Sequence, residues 1–264
     1  MAEMFSNALA YENIMGRWSV RLAPMLVKFA QVGDVGRVLD VGCGTGSLAK
    51  MLAAASPRFE IVGIDPVEAF IEYARTRFND SRVTFERANA LDLPFSQGSF
   101  DHALSMLVLM FIPEPDKAVG EMRRVTRPGG TVAACTWDSV GLEMTALFWE
   151  EARKLDSDAE ALAERPRRLN QPGQLTELWR AAGLQQIEET TLAFSTDFSS
   201  FDDYWQPHLG GGGPRGVYVA DLSVQQRDAL RDALRKRLLG HGPDKSFSLP
   251  AKALAVRGIV PDAE

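Results

Sequence analysis

The sequence predicts an α/β protein built on a mostly parallel sheet, and three observations carry that prediction. From Arg37 to about Thr196, short β-branched runs alternate with amphipathic stretches, the rhythm of repeated strand–helix units. Three glycines, Gly42, Gly44 and Gly46, fall where a strand runs out and a helix begins. The composition, 264 residues with 45% apolar and 24% charged content, is that of a globular chain with enough material for a large core.

Val38 to Val41 reads as the first strand and Ser47 to Ala55 as the helix after the glycine turn. Glu60 to Ile64 is a second strand, and Val67 to Phe78 a helix with Phe70, Ile71 and Ala74 on one face. Arg82 to Phe85 and Phe100 to Ser105 are the third and fourth strands. Pro115, a good first helical residue, opens a helix whose Ala118, Val119, Met122 and Val125 face inward. Arg127-Pro128-Gly129-Gly130 stops it, and Thr131 to Thr136 is a fifth strand. Two segments then break the rhythm. Trp137 to Gln171 is mostly helical in composition and delays the next core helix, Gln174 to Ala182. Asp197 to Lys245 holds the aromatic residues Phe198, Phe201, Tyr204 and Trp205, the loop Gly210 to Gly213, and a helix that starts at a Ser223/Gln226 capping box. Leu230, Leu234 and Leu238 line one face of that helix, and Ser246 to Val260 reads as a last strand.

The formal charge of −6, from 29 Lys plus Arg against 35 Asp plus Glu, gives no electrostatic footprint for nucleic acid. Cys43 and Cys135 have neither metal-ligand spacing nor a disulfide framework, so a reducing cytoplasm is the expected compartment and no metal is expected. Met1 to Trp18 lacks the apolar run of a signal peptide, and the longest apolar run, Met106 to Ile112, is too short to cross a bilayer.

The strongest chemical signal is Val38-Leu39-Asp40-Val41-Gly42-Cys43-Gly44-Thr45-Gly46. A dinucleotide fingerprint needs G-x-G-x-x-G/A, which rests a pyrophosphate on the helix N-terminus; glycines at 42, 44 and 46 followed by Ser47 favour a nucleoside ligand without phosphates. Asp65, at the end of the second strand, can accept hydrogen bonds from both ribose hydroxyls, or can cap the helix that follows Pro66. Asn89 and the backbone N–H of Ala90 can read an adenine edge, although Asn is also an ordinary turn former.

With those motifs in order, and Leu93-Pro94-Phe95-Ser96-Gln97-Gly98-Ser99-Phe100-Asp101 after them, the stretch from about 36 to 195 resembles the class I S-adenosylmethionine-dependent methyltransferases. Within these it is similar to the ubiquinone/menaquinone-biosynthesis type of small-molecule methyltransferases. The resemblance implies a Rossmann-like seven-stranded sheet of order 3-2-1-4-5-7-6 with an antiparallel last strand. It also implies one methyltransferase domain over 1–264, with 1–35 as a helical lid and 137–171 and 197–245 as substrate-covering insertions. Carried over, Asp40, Gly42 and Gly44 would border the methionine part of S-adenosylmethionine, Asp65 the ribose, and Pro66 and Leu91 the adenine faces. Met106 or Leu107 would offer a backbone carbonyl to the cofactor's ammonium, and in the lid Tyr11 and Arg17 would reach its carboxylate. Two departures stand out: Asn89 replaces the usual Asp, and Leu109-Met110 stand where many relatives carry a His.

Methyl transfer is a direct displacement that needs alignment and dryness more than a strong base. His208, among Tyr204, Trp205 and Pro207, is the one candidate general base, with a packed histidine as the alternative. Trp137, Trp149, Tyr204, Trp205 and His208 are the expected lining of an apolar acceptor pocket, or else of core or a dimer face. The sequence thus predicts a small, aromatic or apolar methyl acceptor, S-adenosylhomocysteine as the product, and a monomer or homodimer that inserts into no membrane. The rival readings are a nicotinamide-dependent oxidoreductase and a non-catalytic cofactor binder.

Overall fold

The computed structural model describes residues 12–156, 159, 168–210 and 213–262. A π-helical turn, Glu12–Gly16, leads into α1 (Arg17–Ala30), whose Trp18, Leu22, Leu26 and Ala30 recur every four residues and make its buried face. The alternation that follows is β1 (Val35–Val41), α2 (Ser47–Ala55), β2 (Arg58–Asp65), α3 (Glu68–Arg77), β3 (Val83–Arg87), β4 (Phe100–Met106) and α4 (Pro115–Val125). Then come β5 (Thr126–Leu142), α5 (Glu143–Leu155), α6 (Gln174–Ala181) and β6 (Gln185–Phe198). The second insertion carries α7 (Phe201–Trp205), α8 (Gly213–Asp221) and α9 (Val224–Leu239), and β7 (Phe247–Ile259) closes the fold.

All seven strands form one sheet of order β3-β2-β1-β4-β5-β7-β6, as the family resemblance implies. β1 to β5 run parallel, and β7 is antiparallel to both β5 and β6. Strands buried on both faces read as continuous apolar runs. Their side chains alternate between two cores: Leu39 and Val41 face α4 and α6, while Val38 faces α1 and α2. The Pro115 helix buries its four expected residues, and the Ser223/Gln226 capping box opens α9 with Leu230 and Leu234 buried. No helix among the described residues is long and apolar enough to cross a membrane.

One stretch differs from expectation. Residues 137–142 were expected at the start of a mostly helical insertion, and the fifth strand was expected only over Thr131 to Thr136. Instead β5 continues to Leu142, which pairs with Ala251 after an irregularity in register. The reason is non-local: β7 is 13 residues long, so the backbone past Thr136 finds a partner strand more than 100 residues away. Helix begins only at Glu143.

Candidate cofactor site

Because β1, β2 and β4 are parallel, Val41, Asp65 and Met106 end at one edge of the sheet, where the strand order reverses between β1 and β4. Open α/β sheets bind ligands at such a crevice. The N–H groups of Gly42 and Cys43 both donate to the Ile64 carbonyl at 2.8 Å, which fastens the loop to the end of β2. Gly42 (φ +74) and Gly46 (φ +88) are left-handed, and a Cβ would stand 2.5 Å from Val108 at the first and 2.7 Å from Phe78 at the second. At Gly44 (φ +52) a Cβ would meet nothing within 4 Å, so the loop is open toward the crevice at its centre.

Two buried carboxylates frame this opening. Asp65 accepts the Gly44 N–H through Oδ2 at 3.1 Å and the Val67 N–H through Oδ1 at 2.9 Å. The bond to Val67 is a local turn bond and not the expected helix cap, since the helix's N-cap, Val67, has no side-chain cap, and each carboxylate oxygen keeps a second lone pair for a ribose hydroxyl. Burial raises its pKa above the ordinary carboxylate value against the pull of those two N–H groups. Asp40, 1% exposed, accepts the Ala49 N–H at 3.1 Å through Oδ2, while Oδ1 has no partner among the described residues. Burial, with the Asp65 charge adding to it, pushes the Asp40 carboxyl up to about 7. An orphaned buried oxygen beside an open glycine is what a missing ligand with donor groups would satisfy.

The other expected contacts divide. Pro66 and Asn89 are exposed at the rim, Ala90 is buried and Leu91 half-buried. The Asn89 side chain accepts the Leu91 N–H at 3.0 Å, an Asx turn that occupies its carbonyl and leaves its amide donors for an adenine edge. Met106 ends β4, and Leu107 beyond it holds a left-handed backbone (φ +65), its N–H donating to the Cys135 carbonyl at 2.8 Å. A leucine in that region carries strain of about 1–3 kcal/mol, a cost that concentrates at ligand sites.

The lid residues behave differently from expectation. Tyr11 lies outside the described residues. Arg17 is committed away from the cofactor crevice: it grips both oxygens of Asp203 at 2.6 and 3.1 Å and donates to the Asp197 carbonyl at 2.5 Å. A planar guanidinium matches a carboxylate bidentately, and the second insertion supplies one. The residue that sequence reasoning missed is Glu12, which accepts from the Thr45 hydroxyl and pairs with Arg77 at 3.1 Å. No local pattern signals a bond that spans 33 residues.

The expected acceptor lining is core instead of open pocket. Trp137, Trp149, Tyr204, Trp205 and His208 are all at most 6% exposed. Phe148 of α5 meets Trp149 at 5.1 Å and His208 at 5.0 Å, and the Tyr204 hydroxyl donates to the Met144 carbonyl at 2.9 Å. Among the described residues, a void of about 10 Å³ lies beside Trp18, Met144, Phe198 and His208. That is space for roughly one water molecule. Burial, reinforced by the Arg215 cation, drives the His208 pKa well below its ordinary value, so the ring is neutral and poorly suited to take a proton. It does not stand as the general base proposed from sequence.

Comparison with known proteins agrees with this geometry. Residues 39–134 match a family described as a methyltransferase domain. The chain is 32% identical over 169 residues to a demethylmenaquinone methyltransferase of Clavibacter sepedonicus, covering 59% of this chain and 68% of that one. The chain belongs to the class I S-adenosylmethionine-dependent methyltransferases. An uncharacterized Mycobacterium bovis protein is 34% identical over 136 residues, but the match spans only 51% of this methyltransferase-family chain and 47% of the relative. A Haemonchus contortus phosphoethanolamine N-methyltransferase 2, solved with S-adenosyl-L-methionine, shares the fold at a TM-score of 0.60 and 20% identity, covering 97% of this chain and 57% of that one.

Proposed function

We propose that this protein transfers a methyl group from S-adenosylmethionine to a small, aromatic or otherwise apolar acceptor by direct displacement. The observation that carries the reading is the pairing of the open Gly44 with two buried carboxylates, Asp40 and Asp65, at the carboxyl ends of β1 and β2. Under it, Asp65 holds the ribose, Asp40 with the Gly42–Gly44 loop borders the methionine part, and Pro66, Asn89, Ala90 and Leu91 flank the base. When bound, S-adenosylmethionine supplies a methyl carbon activated by a sulfonium. The backbone at Met106 and Leu107 orients the amino-acid end, and the lid with the two insertions excludes water from the reacting atoms. No side chain need hold the acceptor's proton permanently, which suits a site whose nearest histidine candidate is packed in the core.

The acceptor class rests on the likeness to a demethylmenaquinone methyltransferase. The same reading makes the protein a cytoplasmic monomer or homodimer with no nucleic-acid partner, consistent with a net charge of −6 and two free buried cysteines. Calorimetry with S-adenosylhomocysteine against NAD and NADP tests the cofactor half: preference for a dinucleotide would overturn it. Transfer of labelled methyl groups into a metabolite extract tests the catalytic half, and absence of any labelled product would leave a cofactor-binding protein without this activity.

A further inference from the structure

At the sheet edge opposite the glycine loop lies a cavity of about 440 Å³, within the range of roughly 300–1,000 Å³ common for small-ligand sites. Val35, the first residue of β1, lines it, while Gly42 follows the last. The length of the strand, about 20 Å, therefore separates it from the cofactor crevice. Gln31 at the end of α1, His102 of β4, Arg127 of β5, Gln186 of β6 and Arg257 of β7 bring their side chains to one hollow.

The distribution of charge in that hollow is uneven. Arg257 pairs with Glu188 at 2.5 Å, but the arginine side chain is 13% exposed and the glutamate 56%, so the cation is the buried member. Its Nε is buried and has no hydrogen-bond partner among the described residues. Arg127 donates from Nε to Asp101 at 2.6 Å and from Nη1 to the Pro128 carbonyl at 3.1 Å, which leaves Nη2 without a partner among the described residues. Asp34, the acidic member of the lining, is already ion-paired with Arg58. A mostly buried guanidinium whose counterion lies on the solvent side can take a second oxyanion through an N–H that faces the cavity.

We propose that this cavity binds a small oxyanion, the phosphate or carboxylate group of a metabolite, with Arg257 and Arg127 as its charged donors. His102, which accepts the Thr131 N–H at 3.3 Å through Nδ1, forms a polar wall and serves as a reporter, since the chain has only 3 histidines.

The test titrates the whole protein with inorganic phosphate and, separately, with malonate, following the imidazole nitrogen signals against sodium chloride at matched ionic strength. A saturating shift of the His102 signal with either probe is expected, and which of the two binds more tightly names the source of the oxyanion. Arg257→Gln should weaken the binding by about tenfold or more. Glu188→Gln, at an exposed position, should tighten it several-fold by freeing the guanidinium edge. A shift no different from that of chloride overturns the proposal. So does saturation that neither substitution alters. Should Arg257→Gln fail to fold, Glu188→Gln decides alone: unchanged or weaker binding overturns the site.

Discussion

Around the glycine loop, backbone N–H groups meet two buried carboxylates, and polar atoms are left with capacity to spare: Oδ1 of Asp40 has no partner among the described residues and both oxygens of Asp65 take one bond each. Between α5 and the second insertion, rings meet rings: Phe148, Trp149, Tyr204, Trp205 and His208 form a continuous edge-to-face cluster with a void of about 10 Å³ beside it. The first region is built to be completed by something else. The second already completes itself, so its energetics are those of a core. The comparison breaks if substitutions in the cluster disturb cofactor binding, or if substitutions at the loop mainly unfold the chain.

The largest effect is expected at Phe148, which is fully buried at the centre of the cluster. Phe148→Ala should cost about 3–5 kcal/mol of stability in a urea titration, the sum of lost burial and the cavity left behind. Affinity for S-adenosylhomocysteine, measured by calorimetry under conditions where the variant is folded, should stay within about twofold. A matching fall in affinity would show that the two regions work as one unit.

Asp40 gives the next largest effect, and it depends on pH. Its folded pKa of about 7 lies above the ordinary 3.8, so the folded protein holds a proton that the unfolded chain releases. The stabilising contribution of that proton is complete below about 3.8 and is lost as pH rises through about 7. Asp40→Asn should remove this dependence, so that between pH 4 and 7 its stability declines less steeply than that of the parent. The difference should be on the order of 3 kcal/mol at the upper end. Parallel curves of stability against pH would exclude a raised Asp40.

How much of each region could be read in advance follows from the range of the forces involved. The Ser47–Ala55 helix, the start at Pro115 and the Ser223/Gln226 capping box are fixed by residues within a few positions of one another, and the structure places all three as the sequence predicts. The family pattern then supplied the strand order, which periodicity alone does not. The extension of β5 to Leu142 depends on β7, and the bond of Arg17 depends on Asp203, 186 residues away. The aromatic residues posed a different difficulty. Tyr204, Trp205 and His208 were recognisable as a cluster, but whether rings close on a ligand or on each other depends on what packs opposite. Phe148, from α5, fills that place here, and Tyr218 of α8 meets Phe148 in turn.

Asp65→Ala tests the open region directly. Losing the acceptor for ribose hydroxyls should weaken S-adenosylhomocysteine binding by about 2 kcal/mol or more, roughly 30-fold. The Gly44 and Val67 N–H groups also lose their partner, so a small loss of stability should accompany it. An unchanged dissociation constant would remove Asp65 from the ribose. His208→Leu is the counterpart in the closed region. Because it exchanges a neutral ring whose Nε2 has no partner among the described residues for an apolar side chain, it should shift stability by no more than about 1 kcal/mol in either direction. The pH profile of methyl transfer between 6 and 9 should keep its shape; a lost basic or acidic limb would return His208 to the chemistry.

The smallest effect belongs to the contact that joins the two regions. Arg17, at the start of α1, grips Asp203 with two hydrogen bonds, and its guanidinium also lies over the Trp18 ring at 4.3 Å and near Phe198 at 5.1 Å. The partners are 32% and 27% exposed, so water screens the pair only in part. A double-mutant cycle of Arg17→Ala and Asp203→Ala, followed by urea unfolding, should return a coupling of about 0.5–1 kcal/mol. A coupling near zero would mean that the buried Trp18, not the ion pair, holds α1 against the segment around Phe198. A coupling well above 2 kcal/mol would mean that the pair is effectively desolvated. The intermediate value fits α1 tied to the aromatic cluster by a partly screened ion pair.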